Sequence, residues 1–254
     1  MKRTLSLILS AVLLVCTVSL PVSAEQISNH TVKKQEYVIN GSEISHTLKS
    51  KVEEIGISVT NETIVQLTPI TTENKINTGN ALIITNCSGS IVTKDVLLLV
   101  TDDAVGFETT GDISTRAGST VDFPQLSWDG RYVIHGTAVF NRYSHGYSSN
   151  YYQPIGAYFT YQKYETCTVN YIGMTYVCKG IDYSYPGFQD LGEPAVENRI
   201  SVNKSNPATS HMDSTTKEYN SSRVIYTGSG GNFGQVMQFN VTVNGVSDSY
   251  DTPL

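Results

Sequence analysis

The sequence predicts a mainly β protein, with a small α+β N-terminal domain (one helix on a short sheet) followed by an antiparallel β-sandwich. Three observations carry this prediction. A single stretch, from Ser42 to Gly56, has apolar residues at helical spacing. Two dipeptides, Asp129-Gly130 and Asn244-Gly245, sit between β-type runs, where the positive φ of both central positions in a type I′ turn favours Asn, Asp and Gly. Tyrosine also divides the chain: residues 25–115 contain only Tyr37, and residues 116–254 contain the other 15.

Residues 1–24 have the form of a secretory signal. Lys2 and Arg3 lead an apolar run from Leu5 to Leu20, Pro21 breaks it, and Val22-Ser23-Ala24 offers small residues for cleavage. A membrane anchor is the competing reading of a run of that length. Its Ser and Thr content and its cleavage-like end favour removal. A lipid anchor on Cys16 is disfavoured, because Val15 stands where a small residue would be needed. The mature chain is expected to be secreted and extracellular, with no stable membrane anchor after cleavage. The leader and the composition together have the look of a bacterial secreted protein.

The 254 residues are 39% hydrophobic and 16% charged, which excludes a collagen, a coiled coil and an extensively disordered chain. The net charge of -6 argues against nucleic acid as a partner, since such proteins carry a basic footprint.

Within residues 25–108, Ile44, Leu48, Val52 and Ile55 fall in about an 80° arc at 100° per residue. Ser42 is the expected N-cap and Gly56 the expected stop. Lys51 shares the arc and can lay its stem on the core while its ammonium reaches water. Strands are expected at 81–86 and 91–100, turning through Cys87-Ser88-Gly89-Ser90, with a weaker strand at 63–67. Residues 109–121, polar and Gly-containing, read as a linker.

Residues 122–254 read as a tyrosine-rich sandwich domain. Hairpins are expected around Asp129-Gly130 and Asn244-Gly245. Met237, Phe239, Val241 and Val243 share one face of a strand, and Ile155, Ala157, Phe159 and Tyr161 share one face of another. Further strands are expected at 174–183, 199–204 and 222–227. In the Asn-Gly register Asp248 falls opposite Val241, a charge turned inward on an edge strand, a device against aggregation. Gly228 to Gly234 reads as a loop between strands, because no helix follows to hold a phosphate.

Cleavage leaves Cys87, Cys167 and Cys178. A hairpin turning at Ile172-Gly173 makes a disulfide between Cys167 and Cys178 geometrically feasible, although Ile-Gly is a poor two-residue turn. Cys87 is then the odd cysteine, expected as a buried thiol.

The functional candidates lie in Asn141 to Tyr152, which reads as an aromatic, polar loop. Tyr143, His145, Tyr147, Tyr151 and Tyr152 are its candidate ligand-binding residues, since a Tyr ring offers a flat apolar face and a hydroxyl. The competing reading is that Tyr is simply a favoured strand residue. His135 shares a strand face with Val133, Thr137 and Val139, and is expected as a hydrogen-bonded structural residue. No HExxH, paired Cys-x-x-Cys or calcium-loop pattern is present, so no catalytic residue, metal or cofactor is assigned. The expected function is a secreted, non-enzymatic interaction protein binding glycan, cell wall or protein. The alternatives are an extracellular hydrolase with a composite site around His145, or a secreted toxin or antibacterial factor.

Overall fold

A computed structural model describes residues 37–44, 46–72, 79–100, 105–107, 130–164, 166–192, 196–207, 213–218, 222–228 and 233–254. These all belong to one compact unit, Lys34–Leu254. The segment 1–24 and the linker 109–121 lie outside the described residues. Among the described residues, no helix is long and apolar enough to cross a membrane.

The protein is mainly β; among the described residues there is one α-helix, α1 (His46–Glu54), and the strands pair antiparallel throughout. The strands are β1 (Tyr37–Asn40), β2 (Ile64–Pro69), β3 (Thr71–Thr72), β4 (Asn80–Ser88), β5 (Ile91–Val100), β6 (Tyr132–His145) and β7 (Ser148–Lys163). They continue as β8 (Val169–Ser184), β9 (Val196–Ser205), β10 (Asp213–Glu218), β11 (Arg223–Tyr226), β12 (Gly234–Val243) and β13 (Val246–Pro253). Their order is β1-β2-β4-β5-β6-β7-β11-β8-β12-β13-β3, with β10 on β7 and β9 on β8 as side branches. Ile70 alone separates β2 from β3, so one chain segment runs from the strand beside the β1 end to the β3 end of this order.

The helix follows its periodicity. Ile44, Leu48, Val52 and Ile55 are all buried, against Val65, Leu67, Leu82, Ile84, Leu97 and Leu99 of the strands beneath. The start differs from expectation: Ser42 lies in a 3₁₀ turn, Gly41–Glu43, and α1 begins at His46. The stop is at Gly56, whose φ of 88° lets Ile57 N–H reach the Val52 carbonyl and Gly56 N–H reach Glu53. That pair of bonds is a Schellman ending, which satisfies carbonyls left over by the last turn.

The compositional boundary is crossed by hydrogen bonding. β5 pairs with β6 from Ile91↔Asn141 to Val100↔Tyr132. One core gathers Ile83, Val96 and Leu98 with Ile134, Phe159, Met174, Met237 and Phe239. Gly136 on β6 shows how closely β8 and β12 approach. A Cβ there would sit 2.6 Å from the sulfurs of Met174 and Met237 and 2.8 Å from the Phe239 ring.

The two glycine turns have different fates. At Asn244-Gly245 both residues have positive φ, 51° and 80°, and Val243 faces Val246. Met237, Phe239 and Val241 are buried. Asp248 does pair with Val241, but its side chain is exposed. The strand expected before Asp129-Gly130 in that hairpin lies outside the described residues, and Gly130 does not take a positive φ. Its missing side chain instead admits Leu99 and the Val100 carbonyl, and β6 takes β5 and β7 as its neighbours.

The disulfide expectation is corrected. Residues 169–184 form one strand with no turn at Ile172-Gly173, and Cys167, Cys178 and Cys87 are free thiols. Nine steps of about 3.3 Å along β8 hold Cys178 roughly 30 Å from Val169, so Cys167, two residues before Val169, cannot come within the roughly 5.5 Å that a bridge needs. Cys87, expected to be buried, is exposed at the end of β4.

Candidate functional site

Residues 141–152 form the end of a long hairpin rather than a loop: β6 runs to His145, Gly146 and Tyr147 turn, and β7 starts at Ser148. Gly146 has φ 61°, which a turn of this length favours in glycine. A β-bulge decides which tyrosines face each other. Val139 pairs with Gly156 and Phe140 with Pro154, so Ile155 is an extra residue on β7. Ala157, Phe159 and Tyr161 point into the main core. Across the bulge the alternation reverses, so Tyr152 packs against that core and Tyr151 turns to the opposite face.

On that opposite face, Tyr143, Tyr151 and Tyr226 stand in direct register across β6, β7 and β11. Strands lie about 4.8 Å apart, so the rings form a row with one ring per strand. Tyr143 stacks on Tyr185 at 4.4 Å, and Tyr151 leans on Tyr226 at 4.8 Å and meets Tyr183 edge-on at 5.4 Å. Phe188 closes the group. It lies parallel to His145 at 4.6 Å and edge-on to Tyr151, Tyr185 and Tyr143 at 5.4, 5.7 and 6.1 Å. Seven rings thus make one continuous surface. Tyr151 at its centre is 7% exposed, Tyr143, Tyr183, Tyr185, Phe188 and Tyr226 are half-buried, and His145 is exposed.

Phe188 has φ 50°, which a bulky residue seldom adopts. The turn around it is held by Phe188 N–H on the Ser184 carbonyl, Ser184 N–H on the Gln189 carbonyl, and Gln189 N–H on Ser184 Oγ. Burial, followed by the hydrogen bond and proximity of Tyr185, pushes the Tyr143 phenol up to about 12. Burial likewise raises Tyr151 and Tyr183, with Asp190 adding to the effect on Tyr183. These hydroxyls therefore stay protonated across the physiological range.

The next register along the same face is uncharged and polar. Asn141 Nδ2 and Tyr143 Oη both donate to Gln153 Oε1 at 3.0 Å, and Ser90 Oγ donates to Asn141 Oδ1 at 3.3 Å. Further along the same face lies a buried polar group. His135 Nε2 and Thr137 Oγ1 meet the same oxygen, Asp95 Oδ1, at 2.8 and 2.7 Å, and Thr160 Oγ1 approaches His135 Nδ1 at 3.3 Å. His135 is thus hydrogen-bonded and structural.

Of the five candidates, the fold brings Tyr143, His145 and Tyr151 together and sends the other two elsewhere. Tyr147 is fully exposed at the hairpin tip, and Tyr152 joins Phe140 edge-on at 5.4 Å on the core side. Among the described residues, the partners of His145 are the Phe188 and Tyr151 rings. Tyr183, Tyr185, Phe188 and Tyr226 were missed by sequence reasoning. They approach the hairpin only through pairing of β11 with β7 and β8, and no local pattern announces a long-range pairing. Comparisons with protein families, with curated proteins and with solved structures find no match for this chain.

Proposed function

We propose that this is a secreted, non-enzymatic interaction protein that holds a glycan of a cell wall or other surface on the ring cluster. In the proposed architecture the strands form a β-sandwich, and the cluster sits on its outer face where β6, β7, β11 and β8 run side by side. The observation that supports this function is the ring surface itself: seven rings from four strands and the turn after β8, six of them partly or fully open to solvent. Aromatic side chains bury large area on contact, and Tyr adds a hydroxyl at little cost in side-chain freedom.

The experiment is co-sedimentation of the purified protein with insoluble cell-wall glycans. Wild type is expected to sediment, and a Tyr143→Ala, Tyr185→Ala double variant to remain in solution while keeping its far-ultraviolet circular dichroism. Equal sedimentation of the two proteins would remove the cluster from the function.

A further inference from the structure

We infer that the ligand is an uncharged, hydroxyl-rich polysaccharide, lying with its C–H faces on the Tyr143–Tyr185 stack and its hydroxyls along Ser90, Asn141 and Gln153. This inference rests on the recognition role proposed above and narrows its ligand. Two adjacent rows on one sheet face carry it. The first supplies flat rings, Tyr143 and Tyr185 stacked at 4.4 Å beside Tyr151 and Tyr226. The second supplies amide and hydroxyl groups that hydrogen-bond one another at 3.0 to 3.3 Å. A sugar ring offers the matching pair, apolar C–H faces and a rim of hydroxyls.

Charge decides between classes of polymer. No Lys, Arg, Asp or Glu belongs to either row. The neighbouring arginines are turned away by strand alternation: Arg142 pairs with Tyr152 on the core side, and Arg223 Nη1 binds Asp182 Oδ2 at 2.7 Å. Asp190 lies close to Tyr183, which further disfavours an anionic chain. An anionic polymer needs cations to draw and hold it, and the whole protein carries a net charge of -6. A protein anchor site draws on Arg and Met as well as aromatic rings, and neither row contains them.

Affinity electrophoresis of the full chain tests this, in gels cast with a neutral glucan, a neutral mannan, a polyuronate or no polymer. The expected result is retardation by a neutral polymer, unchanged when salt is raised to about 1 M, where screening acts within about 3 Å. Tyr185→Ala should weaken retardation about tenfold, and Asn141→Ala about three- to tenfold. Asn141 lies near the hairpin end, so it remains informative if Tyr185→Ala perturbs the fold. Retardation by the polyuronate alone, or retardation lost in salt, would overturn the uncharged ligand. If that retardation still required Tyr185, the recognition role would survive. Retardation by none of the polymers overturns the inference and the glycan-binding role together.

Discussion

Tyr143 near the end of β6 and Tyr185 beyond the end of β8 stack at 4.4 Å, joining two segments that no local sequence pattern connects. The stack is one edge of the ring surface, and it separates tyrosines that matter to one another from tyrosines that are merely near in sequence. Tyr147, four residues from Tyr143, touches none of the rings. Tyr185→Ala should therefore lower stability by about 1–2 kcal/mol, through lost burial and lost ring pairing. Tyr147→Ala should stay within about 0.5 kcal/mol of wild type. Urea unfolding midpoints, compared at constant slope, measure both.

The phenols give an alkaline signature. Tyr143 is held at about 12 in the folded protein, above its ordinary value. The unfolded chain releases that proton first, so the stability tied to this group is complete below about pH 10. It is lost as pH rises from there through the folded value. Tyr143→Phe should flatten the fall in melting temperature over that interval, relative to wild type. An alkaline limb identical in the two proteins would detach Tyr143 from the effect.

Asp95 and His135 make the second demand on the sheet. Both are buried, and Asp95 Oδ1 takes hydrogen bonds from His135 and Thr137. Asp95→Ala leaves the imidazole and the hydroxyl without their acceptor, and is expected to cost about 3–5 kcal/mol. Thr137→Val should cost less, about 1–3 kcal/mol, by removing a single donor. Calorimetry of the two variants should rank them in that order.

Free thiols follow from the continuous strand β8. Cys87 should react with an aromatic disulfide reagent in the native protein, while buried Cys167 and Cys178 react only in denaturant. Burial also pushes the Cys178 thiol up to about 12, which keeps it in its unreactive form. Detection of a Cys167–Cys178 peptide pair under non-reducing digestion would contradict the strand.

What the sequence made legible was local. Ile44, Leu48, Val52 and Ile55 announced a helix face, and all four are buried. Asn244-Gly245 announced a turn because its chemistry is confined to two residues. Asp129-Gly130 carried the same local signal, yet Gly130 serves close packing against Leu99. The candidate site was read only in part, for two physical reasons. The extra residue Ile155 reverses strand alternation, placing neighbours Tyr151 and Tyr152 on opposite faces. The other half of the ring surface arrives on β8, β11 and the Phe188 turn, through pairing that depends on the whole sheet. The division of tyrosine marked two halves of the sequence, while β5 and β6 join them in one sheet.

The central claim is that ligand covers the ring surface, and hydroxyl-radical footprinting with and without bound cell-wall glycan tests it most directly. Glycan should protect Tyr143, Tyr183, Tyr185, Phe188 and Tyr226 from oxidation, leaving the exposed Tyr147 and Tyr164 as reactive as in the free protein. Protection confined to Tyr147 or Tyr164, or oxidation of the cluster unchanged in the bound sample, would contradict it.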